Sequence, residues 1–236
     1  MRWTKICKLE YFLLTALVVS AVSSLVMLET YLMPIGILLA LIGVALGLRV
    51  SEKETENVLI ISVFFLSMAV FNKWGFLYGF GLGLDTIMNE FFVKTALFAG
   101  FAAATIWLKT MYFELNELSG KIFSIEKKLA GAFFLAVALI ISLWDASLDL
   151  LARPSGKIGV AIALLGVLNG LILIESKNRR LLILAVIGLI LAGFTQGFEY
   201  LDSFYGAGHF IEEFFDKMSW FAALTAVVLV CKEIFK

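Results

Sequence analysis

The sequence predicts an all-α integral membrane protein with eight transmembrane helices, built as two tandem four-helix repeats in parallel orientation. Hydrophobic residues make up 61% of the chain and charged residues 16%, with a mean hydropathy of +0.98. Soluble domains contain roughly 45–50% apolar and about 25% charged residues. A chain of 236 residues has too small an interior to hide this apolar excess from water, so a lipid bilayer is its expected partner.

Eight apolar stretches each approach the length of about 20 residues that a helix needs to cross the hydrocarbon core. The second opens at Pro34, a residue favoured in the first turn of a helix. We interpret the first stretch as a retained helix rather than a signal peptide, because it aligns with an internal segment. The predicted spans are 9–28, 34–50, 58–78, 91–112, 129–150, 158–174, 181–200 and 210–235.

Basic residues divide unevenly between the two sides of these spans. The N-terminal tail and alternate loops hold Arg2, Lys5, Lys8, Arg49, Lys53, Lys109, Lys121, Lys127, Lys128, Lys177, Arg179, Arg180, Lys232 and Lys236. Cytoplasmic loops carry the excess of Lys and Arg, so we expect both termini in the cytoplasm of a cell-membrane protein. The net charge of zero argues against a nucleic-acid partner.

The pentapeptide Glu-Phe-Phe-x-Lys begins at Glu90 and returns 123 residues later at Glu213. Sliding the chain against itself by this offset needs no gaps, and the identities are spread over all four helices of each half, which indicates a repeat. We expect a scaffold-like first repeat at 1–113, a cytoplasmic linker at 114–123, and a second repeat at 124–236 that carries a polar pocket. Because each repeat has four spans, both face the same way.

The glycine pairs of the second and sixth spans coincide under this offset, Gly43 with Gly166 and Gly47 with Gly170. Small residues four apart let helix backbones approach closely in lipid. Close packing inside the protein is the first interpretation of these faces. A homo-oligomer formed through the Gly43/Gly47 face or the Gly166/Gly170 face is the alternative.

Ionisable residues gather in the second repeat, on the predicted extracytoplasmic side. Such residues are costly inside a membrane and are functional candidates by default. Their spacing of four places the first two on one face of the fifth span. The set is Asp145, Asp149, Glu199, Asp202, His209, Glu212, Glu213 and Asp216. At the matched positions of the first repeat only Glu213 has an ionisable counterpart, Glu90.

Carboxylates with one imidazole suit a divalent metal ion, and clustered intramembrane carboxylates also serve in proton transfer. A single histidine excludes the His-Glu-x-x-His zinc signature and the usual His-rich haem sites. The structural alternative is a solvated acidic loop, with Glu212 and Glu213 stabilising the positive end of a helix. Asp145 fits that alternative least, because it lies inside an apolar span with no basic neighbour in sequence.

Three functions remain open from the sequence. The first is a cation- or proton-coupled transporter that binds a small ion at an outward-facing acidic pocket. The second is a metal-dependent enzyme acting on a lipid or lipid-linked substrate, with Asp145, Asp149, His209 and Glu213 around one divalent ion and Glu199 as base. The third is a non-catalytic sensor or assembly partner.

The two copies of Glu-Phe-Phe-x-Lys are themselves predicted to be structural. Glu lies four residues before Lys in both, the favourable order for an ion pair within a helix. We therefore expect Glu90 to pair with Lys94 and Glu213 with Lys217, neutralising charge where the fourth and eighth helices enter the membrane.

Overall fold

A computed structural model describes residues 9–26, 32–71, 84–117, 123–150, 158–173, 179–194, 198, 201 and 206–234. The described residues form eight helices and no strands, which confirms the all-α prediction. The helices are α1 (Leu9–Val26), α2 (Leu32–Arg49), α3 (Glu52–Phe71), α4 (Leu84–Glu117), α5 (Phe123–Leu150), α6 (Ile158–Ile172), α7 (Arg179–Gly193) and α8 (Ala207–Ile234).

Several helices extend beyond the predicted apolar spans. Helix α4 has 34 residues and runs to Glu117, and α5 begins at Phe123, so both enter the predicted linker 114–123. Residues 118–122 lie outside the described ranges. An apolar stretch marks where a helix can lie in hydrocarbon, whereas backbone hydrogen bonding continues through polar flanks rich in good helix formers.

Within the described ranges, three helices are long and apolar enough to cross a membrane by length and composition, at Asp85–Phe113, Leu129–Ser147 and Ala207–Cys231. Shorter apolar helices occur at Leu13–Leu25, Pro34–Arg49, Val160–Ile172 and Arg180–Gly193. Large apolar side chains cover much of the outer surface, including Leu25, Leu41, Ile140, Val160 and Leu164, all at least 60% exposed. Contiguous apolar exteriors of this kind suit a lipid or protein environment rather than water.

Helix α4 is the centre of the packing. It contacts α1, α2 and α3 and also α5 and α7, while α8 packs against α5, α6 and α7. The middle of α4 is almost fully enclosed, with Phe98 and Trp107 at most 2% exposed. A helix that is apolar on all sides is typically buried in the core of a protein or in a membrane.

Glycines set the closest helix contacts, and they do so in matching places. A Cβ atom added to Gly43 would overlap the carbonyl oxygen of Phe98 on α4, and one on Gly166 would overlap that of Phe221 on α8. At Gly47 it would lie 2.6 Å from Thr105 Cβ, and at Gly170 2.8 Å from Val228 Cβ. Both glycine faces are thus occupied within the chain, and a homo-oligomer through them would have to displace α4 or α8.

The close contact between α4 and α7 also depends on small residues. A Cβ on Gly188 would lie 2.8 Å from Ala103 Cβ, and one on Gly100 would lie 3.2 Å from Ala192 Cβ. Beside this contact the rings of Phe101, Phe198 and Phe215 form a cluster with centroid distances of 4.8–5.8 Å. Aromatic pairs at such distances stabilise beyond the area that they bury.

Replacing Gly43 or Gly166 by Ala should destabilise the fold, because the new methyl group meets backbone rather than a movable side chain. We expect a loss of about 1–3 kcal/mol for each variant, measured as a lower midpoint of thermal unfolding in detergent. Gly193→Ala is the control, since its nearest neighbours would lie at 3.4 Å, an ordinary contact. Wild-type stability of Gly166→Ala would contradict this packing.

Candidate functional site

The Lys217 ammonium lies between carboxylates of two helices. Its Nζ atom is 3.0 Å from Glu213 Oε2 and 3.2 Å from Asp216 Oδ2, both on α8. It is also 3.8 Å from Oδ2 of Asp145 on α5. The Glu213–Lys217 spacing is the i, i+4 pair of a helix surface, whereas the approach to Asp145 depends on how α5 and α8 pack. We call these four residues the Lys217 cluster.

Burial differs sharply within the Lys217 cluster. Asp145 is 1% exposed, whereas the side chains of Lys217, Glu213 and Asp216 are 17%, 26% and 38% exposed. A carboxylate removed from water needs an opposite charge or hydrogen bonds to offset the cost of desolvation. Lys217 supplies the opposite charge to Asp145 from a distant part of the chain.

The matched lysine of the first half has a different interhelical partner. Lys94 on α4 is 2% exposed, and its Nζ atom lies 3.2 Å from Glu90 Oε2. The same ammonium donates a 3.2 Å hydrogen bond to the carbonyl oxygen of Ser23 on α1. Each lysine thus links its own helix to another, through a backbone carbonyl in the first half and a carboxylate in the second.

One further polar contact joins α5 to α8 beside the cluster. The Ser142 hydroxyl donates to Met218 Sδ at 3.4 Å, and both residues are buried. Ser142 precedes Asp145 by three residues and Met218 follows Lys217, so this contact lies within one turn of the ion pair. It joins the same faces of α5 and α8 that bring Asp145 towards Lys217.

The other predicted site residues do not all join this cluster. His209 is exposed in the first turn of α8. Gly206, with a positive φ of 75°, directly precedes this helix. The helical rise places His209 about 12 Å along the axis from Lys217. Glu212 is partly exposed. Asp149 lies in the last turn of α5 but its side chain is outside the described part of the chain, as are Glu199 and Asp202 entirely.

Among the described residues, no group of three or more His, Cys, Asp or Glu side chains is arranged to hold a metal ion. The carboxylates of Asp145, Glu213 and Asp216 instead lie around the ammonium group of Lys217. No protein-family model, curated protein or solved structure matches this chain. Among the described residues, the chemistry of the site is that of one ammonium facing three carboxylates.

Sequence reasoning singled out Asp145 but missed its partner. Lys217 was assigned only to Glu213 on its own helix, and the approach of α8 to α5 cannot be read from helical spacing. One sequence feature could have indicated the partner. Both copies of Glu-Phe-Phe-x-Lys contain the lysine, and a charged side chain within an apolar helix is expected to have a partner inside the bundle.

Lys217→Met should lower stability, because it removes the ammonium that faces the buried Asp145 carboxylate. Loss of one partner of a buried pair costs up to about 3–5 kcal/mol, and adding Asp145→Asn should recover part of this loss. The coupling energy, expected at about 0.5–3 kcal/mol, is measured by thermal unfolding of the two single variants and the double variant.

Glu90→Gln provides the matched control for that cycle, since Glu90 contacts Lys94 rather than Lys217. Combined with Lys217→Met it should give additive effects. Additivity between Lys217→Met and Asp145→Asn would instead show that the two charges do not interact.

Proposed function

We propose that the chain is a proton- or cation-coupled membrane transporter whose coupling group is Asp145. The observation that carries the proposal is the Asp145–Lys217 pair, a buried carboxylate on α5 facing an ammonium on α8. Ionisable side chains within membrane helices commonly mark ion pathways and proton relays. The pair joins two separate helices, so its charge state can alter how they pack.

The proposal includes eight spans arranged as two tandem repeats in parallel orientation. Matching helix starts support it, since α4 begins at Leu84 and α8 lies 123 residues later at Ala207. The glycine contacts support it too, because Gly43 meets Phe98 as Gly166 meets Phe221, at the same offset. Parallel repeats with a binding site near their interface also occur in known transporter architectures.

Lys217 has partners that remain when Asp145 is neutralised. Glu213 and Asp216 lie on the same helix as Lys217 and approach its ammonium more closely than Asp145 does. A proton or a cation that binds Asp145 would therefore weaken the attraction between α5 and α8 without leaving the lysine alone. Such a site biases a two-state packing of helices, which is the requirement for coupling.

The first half is proposed as the scaffold because the group that its lysine contacts on another helix does not titrate. The Ser23 carbonyl accepts from Lys94 but cannot take up a proton at physiological pH. Val22 stands where the offset places Asp145. The lysine thus makes an interhelical contact that protonation cannot remove in the first half, and one that protonation of Asp145 would weaken in the second.

The metal-enzyme alternative is less well supported. It requires at least three metal-ligating side chains in one place, and within the described residues no such group of His, Cys, Asp or Glu occurs. The sensor alternative predicts no ion movement, so the flux experiment below distinguishes it from the transporter.

Proteoliposomes loaded with a pH-sensitive dye test the coupling directly. Adding Na⁺, K⁺, Mg²⁺ or Ca²⁺ outside should raise the internal pH with at least one of them, because the cation displaces a proton from Asp145. Asp145→Asn should abolish this change, and Glu90→Gln, which alters the matched lysine site, should retain it.

Infrared titration of the purified protein covers the case of a proton coupled to another solute. A carboxyl band that appears on acidification in wild type and is missing in Asp145→Asn would support proton uptake at Asp145. If no cation drives a pH change and no carboxyl band depends on Asp145, the proposed function is overturned.

The proposed orientation can be measured at Cys231, which is exposed near the C-terminal end of α8. In a Cys7→Ser background, a membrane-impermeant maleimide should label Cys231 in inverted vesicles and leave it unlabelled in intact cells, because that end faces the cytoplasm. Cys7→Ser/Cys231→Ser gives the background signal. Labelling of Cys231 in intact cells would contradict a cytoplasmic C-terminus.

A further inference from the structure

Asn169 on α6 is a buried polar residue that the proposed coupling site does not use. It is 0% exposed, and within the described part of the chain neither its Oδ1 nor its Nδ2 has a hydrogen-bond partner. A buried amide without a hydrogen-bond partner destabilises the fold, and the large majority of buried polar side chains have a partner. An amide retained at this cost is a candidate for binding something other than the protein.

Asn169 lies at the tight contact between α6 and α8. Gly166 and Gly170, on either side of it in sequence, meet the backbone of Phe221 and of Thr225 on α8. Thr225 Oγ1 lies 3.0 Å from the Gly166 carbonyl oxygen across this contact. Polar atoms of α6 and α8 are therefore present at the same level of the bundle.

A third polar group occurs at this level. The ring of Trp107 on α4 packs 6.1 Å from that of Phe221. Its Nε1 atom is buried and has no hydrogen-bond partner among the described residues. The segment of α8 between Phe221 and Thr225 is thus flanked by an amide on α6 and an indole N–H on α4.

This level lies further along the same helix as the Lys217 cluster. Thr225 follows Lys217 by two helical turns, a rise of about 12 Å towards the C-terminal end of α8. In the proposed orientation that direction leads from the outer side to the cytoplasm. A transport path needs polar groups in this direction, and Asn169 is the buried amide found there.

The first half shows that the packing itself does not require an amide. Leu46, also 0% exposed, stands at the position that the offset matches to Asn169, between the equivalent glycines Gly43 and Gly47. Ala102 likewise stands where the second half has Thr225. The amide and the hydroxyl at this level thus occur only in the half that holds Asp145, and the first half contributes the Trp107 indole.

We propose that the Asn169 amide binds a buried water molecule on the path by which a proton or a cation passes between Asp145 and the cytoplasmic side. The amide oxygen can accept from the water or contact a passing cation, and the amide N–H groups can donate to the water. This inference rests on the proposed transport function for the path, and on the buried amide alone for the water.

Asn169→Leu tests the path with the residue that the chain itself uses at the matched position. We expect the midpoint of thermal unfolding to stay or rise, the Asp145-dependent infrared band to persist, and the cation-driven pH change in proteoliposomes to fall at least tenfold. Asn169→Ala, which cannot overpack the site, replaces it if the leucine variant does not fold. Wild-type flux in a folded variant would overturn the path, whatever its stability.

The outcomes separate this inference from the proposed function. Loss of flux in Asp145→Asn with full flux in Asn169→Leu would reject only the path through Asn169. Unaltered behaviour of Asp145→Asn in both assays would reject the coupling site. A high-resolution map of the wild type should also show an ordered water within hydrogen-bond distance of Asn169 Oδ1. The absence of water there would overturn the water site, whatever the flux measurements show.

Discussion

The contact of glycine backbone with helix backbone is the constraint on which the other helix positions depend. Gly43 and Gly166 leave no room for a side chain against the carbonyl groups of Phe98 and Phe221. Such a contact fixes the rotation and the axial level of α4 relative to α2, and of α8 relative to α6, because neither helix can turn without a clash. With α4 and α8 fixed, Lys94 and Lys217 are directed to α1 and α5.

The two lysines contact different groups on the helices that they reach. Lys94 donates to the Ser23 carbonyl on α1, where Val22, the residue matched to Asp145, is 52% exposed. Lys217 meets the carboxylate of Asp145 on α5, at the position that the offset matches to Val22. A buried carboxylate is tolerated at that position because an ammonium group already lies nearby, which keeps the desolvation cost compensated.

The helical class could be predicted from the sequence, and Asp145 could be singled out there as a charge in an apolar span, since both depend on properties of short segments. Long apolar stretches predict helices because every backbone polar group in lipid must be satisfied within its own segment. Asp145 was conspicuous as a charge inside such a stretch. The approach of Lys217 was not predictable, because it depends on the rotation of α8 against α5. The grouping of His209 with Asp145 stays a prediction, because it depends on how the start of α8 lies against the end of α5.

The composition of the Lys217 cluster is what the proposed coupling depends on. Within the described residues, one ammonium lies among three carboxylates. The two carboxylates on α8 lie 3.0 and 3.2 Å from the lysine, and Asp145, the most buried of the three, lies 3.8 Å from it. The contacts with Glu213 and Asp216 are internal to α8, whereas the contact with Asp145 crosses to α5. Under the proposed function, neutralising Asp145 therefore weakens an attraction between two helices and leaves the two pairs within α8 intact.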